Sequence, residues 1–445
     1  MSPQLPDGVA WPSDGYLDPH LVGTPSKNLA LYIHVPFCTV RCGYCDFNTY
    51  TVGFGQGADK DSYHHSVNKE VRLAADRLRP FNHEPVKSIF LGGGTPTLLR
   101  AGQIGQILQD VKDNFALDPS AEVTVEANPD TIDQAGLEQL ARAGVTRVSF
   151  GMQSAVLHVL RTLDRSHTPQ QVPHVVKWAR EAGLDASVDL IYGTPGESLT
   201  DWKTSLEAAI ELQPDHISSY ALVIEEGTKM WAQVRRGELA MPDPDDEAEK
   251  YELADALLAQ AGYAWYEISN WAKLEDGEAA GSTNLRHASR HNLAYWFDWD
   301  WWGIGPGAHS HVGDVRWWNR KHPRAWADAL AGGSANLGAR FAGAEAGIAA
   351  GLDSAATPRP LAPLASPAQA GEILEESDRV LEAVMLRIRT ADGIPISSLS
   401  PQVRGRVPVL IDEGLIEEAA AGAGIVKLTL QGRLLADYVT RELTV

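Results

Sequence analysis

The feature that most constrains the fold is a sixfold alternation of short apolar runs and helix-period segments between residues 30 and 223. The apolar runs, rich in β-branched residues, span residues 31–35, 88–93, 123–127, 147–152, 187–193 and 216–223. Helical spacing of apolar residues marks segments between them, at 62–78, 101–115 and 199–212. Near-continuously apolar strands separated by helices indicate a parallel sheet covered by helices. Six units are too few for the usual eightfold barrel, so we expect a partial barrel or an open doubly wound sheet, with ligands at the carboxyl ends of the strands.

All three cysteines of the 445-residue chain lie in one loop after the first predicted strand, with the spacing CxxxCxxC. Cys38, Cys42 and Cys45 could be small buried hydrophobes, but a loop with a proline, a glycine and charges is a poor place for a dry core. They could bind zinc with His34 or Asp46 as fourth ligand, although the second ligand pair typical of structural zinc is missing. The third alternative is a cubane iron–sulfur cluster with one iron left open for an exogenous chelating ligand.

Polar groups follow or end the next predicted strands. The stretch 91–99, LGGGTPTLL, combines glycines that allow close backbone approach with a proline that fixes the turn. Glu126, Gln153 and Asp189 stand at or near the ends of three further strands. Carboxylates and amides there suit hydroxyl recognition, as in dinucleotide folds, while the alternative role is to cap the following helix.

These motifs together resemble the radical S-adenosylmethionine (SAM) superfamily, and nearly the full chain resembles its coproporphyrinogen dehydrogenase-like branch. The resemblance implies a partial (βα)6 barrel, a [4Fe-4S] cluster on the three cysteines, and SAM chelated to the open iron. It also implies a glycine loop that meets the SAM amino group and further residues that contact SAM. The implied loop residues are Gly93, Gly94 and Thr95; the implied SAM contacts are Tyr32, Glu126, Gln153, Arg165 and Asp189, with Tyr44 near the adenine.

A second motif, HNLAYW at 291–296, resembles the HNxxYW signature of HemW-type heme chaperones, as do the stretches 266–272 and 303–310. An imidazole beside large aromatics is a plausible axial ligand and stacking platform for a planar macrocycle, which makes His291 the candidate heme ligand. The alternative is a core histidine with satisfied hydrogen bonds. His309 and His311 are reserve candidates.

Two functions follow from the resemblance. The first is a heme chaperone that binds heme, the cluster and SAM and passes heme to acceptor hemoproteins, among which the family implies membrane respiratory enzymes. The second is an enzyme that oxidatively decarboxylates coproporphyrinogen III through a 5′-deoxyadenosyl radical. Phe47 favours the first, because the dehydrogenases carry a fourth cysteine at that position; the short segment before the first strand does too. Whether the chain is an enzyme stays open at this point.

Composition narrows the setting. A net charge of −20 and the lack of basic clusters argue against nucleic-acid partners. Three local cysteines and no signal-peptide pattern predict a reducing, cytoplasmic location. The oligomeric state stays open, with a dimer as one option.

The chain also divides by composition and pattern. We expect an N-terminal extension over 1–28, the barrel over 29–235, a barrel extension with the HNLAYW region over 236–340, an Ala/Gly/Pro-rich linker or insertion over 341–372, and a winged-helix-like domain over 373–445.

Overall fold

The computed structural model describes residues 8–53, 59–331 and 365–444. Its strands are β1 (Val9–Ala10), β2 (Leu29–Val35), β3 (Phe37–Cys38), β4 (Tyr50–Thr51), β5 (Val86–Gly93), β6 (Leu117–Ala127), β7 (Arg147–Gln153), β8 (Asp185–Tyr192), β9 (His216–Ala221), β10 (Tyr263–Glu267), β11 (Asn270–Lys273), β12 (Asp300–Ile304), β13 (His309–Val312), β14 (Val315–Asn319), β15 (Ala368–Ile373), β16 (Ile394–Pro395) and β17 (Ile425–Val426). Its helices are α1 (Pro19–Val22), α2 (Tyr63–Leu78), α3 (Ala101–Asn114), α4 (Gln134–Ala143), α5 (Leu157–Thr162), α6 (Gln171–Glu181), α7 (Leu199–Glu211), α8 (Lys229–Arg235), α9 (Pro244–Gln260), α10 (Arg290–Trp296), α11 (Pro323–Leu330), α12 (Glu376–Arg387), α13 (Pro401–Arg404), α14 (Val407–Asp412), α15 (Glu418–Gly422), α16 (Leu430–Leu434) and α17 (Ala436–Glu442).

The central part of the large sheet contains the six predicted strands, β2 and β5 to β9, which lie side by side in chain order and run parallel. A doubly wound sheet reverses its strand order at a switch point, whereas these strands follow one another without reversal. The partial barrel is therefore the correct alternative. Outside β2, the sheet continues with β12, β13, β14, β15 and β1; outside β9 it continues with β11 and β10.

The apolar pattern explains why the barrel holds together. Leu31 and Ile33 of β2 are fully buried, as is Trp202 of α7, and they belong to one continuous core. Full burial of such a side chain contributes about 1.5–3 kcal/mol. Helix α7 begins where predicted because Ser198 and Asp201 cap its first turn reciprocally.

The C-terminal region forms a smaller helical unit with its own core, and its winged-helix-like character stays a prediction. Helices α12 to α17 surround Ile388, Leu410 and Val439, and β16 pairs with β17 as a two-stranded ribbon. Arg433 of α16 joins this unit to α9 through Asp255, with Nη2 and Oδ2 2.9 Å apart.

Two stretches outside the barrel take part in the sheet. Most of the expected linker, 341–372, lies outside the described residues, and its described end belongs to β15, which pairs with β14 and β1. Strand β1 itself lies in the expected N-terminal extension. No helix among the described residues is long and apolar enough to cross a membrane.

Candidate cofactor site

A cavity of about 380 Å³ runs inside the barrel from the carboxyl ends of the strands to Arg147, Ser289 and Asn292 near their amino ends. Its walls are polar residues at alternate positions of neighbouring strands, since every second side chain of a strand points to the same face. They include Thr124 and Glu126 of β6, Ser149 and Gln153 of β7, Ser187 and Asp189 of β8, and His216, Ser218 and Tyr220 of β9. The structure thus brings together three of the predicted SAM contacts, Glu126, Gln153 and Asp189.

Glu126 and Asp189, two of the four carboxylates that line this cavity, favour a cationic, hydroxyl-bearing ligand. Burial, and secondly repulsion from Asp189, raises the pKa of Glu126 to about 7. Burial also raises the pKa of Asp189, although Ser149 Oγ donates to both of its carboxylate oxygens, at 3.0 and 2.9 Å. A desolvated pair of acids is stabilised by a nearby positive charge. A sulfonium with ribose hydroxyls meets that need, so the residues present fit SAM.

Gln153 is held in a backbone conformation that points to a function. Its φ is +62°, in the left-handed region that non-glycine residues adopt at a cost of about 1–2 kcal/mol. The pairing register of β7 with β8 also shifts between Gly151 and Gln153. Such strain is kept where it aims a side chain, here into the cavity.

The cysteine loop fits an iron–sulfur cubane better than a zinc ion. Sulfurs around one tetrahedral zinc lie about 3.8 Å apart, given Zn–S bonds of about 2.3 Å. The three cysteine sulfurs do not all lie within 4.8 Å of one another. Among the described residues, the group of possible metal ligands that meets this distance is Asp185, Asp215 and His287. At least two of the three sulfurs are therefore more than 4.8 Å apart, which a cubane accepts because it takes its ligands at separate corners.

The buried cysteine thiols would lose their protons and become thiolate ligands only beside a cation. Burial, followed by repulsion from Cys45, raises the pKa of Cys38 to about 11, and burial also raises the pKa of Cys45. A bound metal reverses this preference, because a coordinating thiol loses its proton. Thr95 Oγ1 lies 4.0 Å from Cys38 Sγ, where a hydroxyl can donate weakly to a sulfur.

The glycine loop fastens the cysteine loop to the barrel. Gly94 N–H donates to Val35 O and Thr95 N–H to Phe37 O, both at 2.7 Å. A Cβ on Gly94 would lie 2.5 Å from Phe37 O and 2.8 Å from Val35 O, so the close approach requires glycine. Gly93 N–H donates to Glu126 Oε2 at 3.0 Å, which ties the same loop to the cavity.

Arg165 lies between the cysteine loop and the barrel wall instead of lining the cavity. Its guanidinium donates to Cys42 Sγ at 3.4 Å, to Asn128 Oδ1 at 2.7 Å and to Gly151 O at 2.9 Å. A cation bonded to a ligand sulfur stabilises negative charge there. Its predicted contact with SAM stays a prediction.

The two predicted tyrosines differ in position. Tyr44, between the last two cysteines, lines the cavity, and burial raises its pKa. Tyr32 hydrogen-bonds His34 Nδ1 through its hydroxyl at 2.9 Å and packs near the rings of Phe90 and His291. Tyr32 therefore packs beside β5 and the HNLAYW helix without lining the cavity, and its contact with SAM stays a prediction.

The HNLAYW helix, α10, closes the opposite, amino-terminal end of the barrel. Glu122 lies on β6, at the start of its buried stretch. Its carboxylate accepts hydrogen bonds from the backbone N–H groups of Arg290 and His291, at 3.0 and 3.2 Å. His291 is 2% exposed, with Ser88 Oγ 3.0 Å from Nδ1 and Tyr295 Oη 3.1 Å from Nε2. Burial lowers its pKa to about 3, so its ring is neutral. Both ring nitrogens have partners, as in the core-histidine alternative.

The two reserve histidines lie on β13. His311 is buried and its Nε2 lies 2.6 Å from Gly313 O. His309 is exposed and stacks on Trp318, with ring centroids 5.8 Å apart.

Comparison with known proteins defines the class first. A family model described as "Radical SAM superfamily" matches residues 32–209, which contain the cysteine loop and the cavity strands β5 to β8. Over 98% of this chain and 96% of the other, the fold matches coproporphyrinogen III oxidase (HemN) from Escherichia coli, a radical SAM enzyme, with a TM-score of 0.72 at 21% identity. The fold is thus that of a radical SAM protein, and the family implies a [4Fe-4S] cluster and SAM.

The sequence relatives then define the family. Heme chaperone HemW of Mycobacterium tuberculosis is 41% identical over 426 residues, which cover 96% of this chain and 97% of that protein. Heme chaperone HemW of Escherichia coli is 36% identical over 307 residues, 67% of this chain and 75% of that protein. The chain belongs to the HemW family.

Sequence reasoning missed part of the cavity wall. The missed residues each stand two positions along a strand from another residue that lines the cavity; they are Ser149, Ser187, His216 and Ser218. The signal was present, because a strand that points one polar residue inward points its second neighbours inward too. Asn128, which bonds Arg165, also follows β6 closely.

Proposed function

We propose that this chain binds heme and transfers it to acceptor hemoproteins, using a radical SAM scaffold that carries a [4Fe-4S] cluster and SAM. The observation that carries this proposal is the 41% identity to a heme chaperone across 96% of the chain. The acceptors we propose are respiratory-chain enzymes, reached from the cytoplasm by peripheral contact with the membrane. Dimerisation would be compatible with this role and is measurable by sedimentation.

The cofactor end of the molecule supports this proposal. Cys38, Cys42 and Cys45 would hold the cluster, and Glu126 and Asp189 would face the positive charge and hydroxyls of SAM. When bound, the cluster supplies an open iron site and an exchangeable electron. The chain's own contribution is to place the sulfurs, to neutralise charge at Cys42 through Arg165, and to supply polar groups around SAM.

His291 stays the predicted iron ligand, and the structure defines what ligation requires. An iron bond through Nε2 would displace Tyr295 Oη, and one through Nδ1 would displace Ser88 Oγ. The ring is neutral and thus chemically competent, but it is buried. If His291 is the ligand, His291→Ala abolishes the Soret shift of a heme titration, whereas Tyr295→Phe leaves it in place.

The experiment that tests the function compares two reactions of the anaerobically reconstituted protein. Heme-loaded protein is mixed with an apo-hemoprotein of distinct Soret band, and separately the protein is supplied with SAM, reductant and coproporphyrinogen III. We expect heme transfer and no vinyl-containing product. Failure to bind heme overturns the chaperone proposal, and substrate-dependent vinyl formation replaces it with the dehydrogenase function.

A further inference from the structure

We propose that heme is held in a basic, aromatic groove at the amino-terminal end of the barrel, on the outer face of the HNLAYW helix. This amino-end groove has a volume of about 740 Å³ and is bounded by the loop 277–288, by α10 and by Trp299. Its volume lies within the roughly 300–1,000 Å³ of cofactor and ligand sites. The inference rests on the proposed function and adds the place and the chemistry of heme binding.

The helix presents two different faces. Arg290, Leu293 and Phe297 line the groove, at spacings of three and four residues that place them on one side. His291 and Tyr295, four residues apart, are on the inward side, where Ser88 and Phe90 of β5 contact the His291 ring. Heme in this groove does not reach the buried histidine, so this inference excludes His291 as the iron ligand, and a heme Soret shift that His291→Ala abolishes in a folded protein would contradict it.

Two arginines provide the charge that the heme propionates need. The Arg286 side chain is exposed and makes no hydrogen bond or ion pair within the described residues. Arg290 uses Nη1 to donate to Ser120, with Ser120 Oγ at 3.1 Å, which leaves its other guanidinium nitrogens for a ligand. The acid in the lining, Glu278, is already an acceptor for the N–H groups of Glu275 and Arg286. Arginine binds carboxylates in bidentate fashion.

The apolar part of the groove suits a flat ring system, and two cations outside the lining lie near its aromatic rings. The Arg387 guanidinium lies 4.6 Å from the ring centroid of Phe297, and Lys87 Nζ lies 5.8 Å from that of Trp299. Lys87 is itself ion-paired with Glu84 at 3.0 Å, so the argument rests on the two arginines of the lining. In a chain of net charge −20, two arginines beside Phe297 and Trp299 indicate a ligand that is both anionic and apolar. Heme combines an apolar macrocycle with two carboxylates, whereas the acids of the cofactor cavity would repel those carboxylates.

The groove is held in place from the C-terminal domain. Thr283 N–H donates to Asp392 Oδ1 at 3.1 Å, and Lys427 Nζ donates to Gly281 O at 3.0 Å. The loop that forms one wall is thus fixed before a ligand binds, which lowers the entropy loss on binding.

The test uses the full chain and measures heme affinity by Soret titration. In the double variant Arg286→Glu/Arg290→Glu we expect affinity to fall about tenfold or more, because charge reversal replaces attraction of the propionates by repulsion. The dimethyl ester of heme, which lacks both carboxylates, is expected to bind the parent chain and the double variant equally. The matched control is Arg142→Glu, an exposed arginine of α4, which should bind heme like the parent chain.

The outcomes separate this inference from the proposed function. If the parent chain binds heme and the double variant binds it equally well, the groove is wrong and the chaperone function stands. If the parent chain binds no heme, the proposed function itself falls. Where the double variant is misfolded by circular dichroism, Arg286→Gln takes its place, since that side chain makes no hydrogen bond or ion pair within the described residues. If a folded Arg286→Gln binds heme, relative to the ester, as well as the parent chain does, the groove is also wrong.

Discussion

The two ends of the barrel are built in opposite ways. At the carboxyl end, the site residues are on strands and on the loop that follows β2: carboxylates and hydroxyls line a cavity, and the three thiols lie in the adjoining loop. At the amino end, a short helix and a loop close the barrel and present arginines and aromatic rings. The carboxyl end therefore favours a cation with hydroxyls, and the amino end favours an anion with an apolar ring. One scaffold can hold two chemically unlike ligands because acids predominate in the cofactor cavity and arginines in the amino-end groove.

The largest expected effect comes from removing a cluster ligand, which should change the carboxyl end of the barrel and leave heme binding at the amino end intact. Cys42→Ser should eliminate essentially all cluster iron and brown colour, because a hydroxyl does not replace the thiolate, while heme affinity stays unchanged. Iron analysis and Soret titration measure the two ends independently. Asp46→Asn in the same loop is the control and should retain full iron content. Loss of iron in Asp46→Asn, or of heme affinity in Cys42→Ser, would break the comparison.

The second effect concerns the stability of the amino end. His291→Ala should lower the free energy of unfolding by about 2–4 kcal/mol, because it leaves a cavity and removes the partner of Ser88 and Tyr295. Chemical denaturation measures this change, with His174→Ala, an exposed histidine of α6, as the control that should cost little. Iron content and SAM affinity should not change. A drop in SAM affinity would show that the two ends are coupled.

The smallest effect is the pH dependence at the carboxyl end. The pKa of Glu126 is raised to about 7, so its carboxylate is charged above that pH and protonated below it. A cationic ligand binds the charged form, so SAM affinity should rise between about pH 6 and about pH 8. Glu126→Gln should weaken binding roughly tenfold at about pH 8 and flatten the pH profile.

Calorimetry across this range, with Glu226→Gln on the exposed loop after β9 as control, measures the profile. The control should keep the slope of the parent chain. A parent chain whose SAM affinity is independent of pH would show that Glu126 does not face the positive charge of SAM.

Sequence alone determined most of the barrel. The six strands are where the apolar runs predict them, because a strand buried on both faces must be apolar almost throughout. The largest difference between the predicted and observed strand bounds is in β6, which begins at Leu117 and not at residue 123 as the sequence predicts. The start is missed because residues 118–121 are polar or small and partly exposed, so no apolar signal marks them.

Sequence alone also determined the cysteine loop and the carboxylates of the cofactor cavity, since the thiol spacing and the strand-end positions are local features. Only the tertiary structure decided between a partial barrel and a doubly wound sheet, because strand order depends on contacts far apart in the chain. It also decided which way the HNLAYW helix faces. Helical spacing puts His291 and Arg290 on different sides, but the packing of α10 against β5 fixes which side is buried. That choice turns His291 inward and leaves the arginines and Phe297 at the groove.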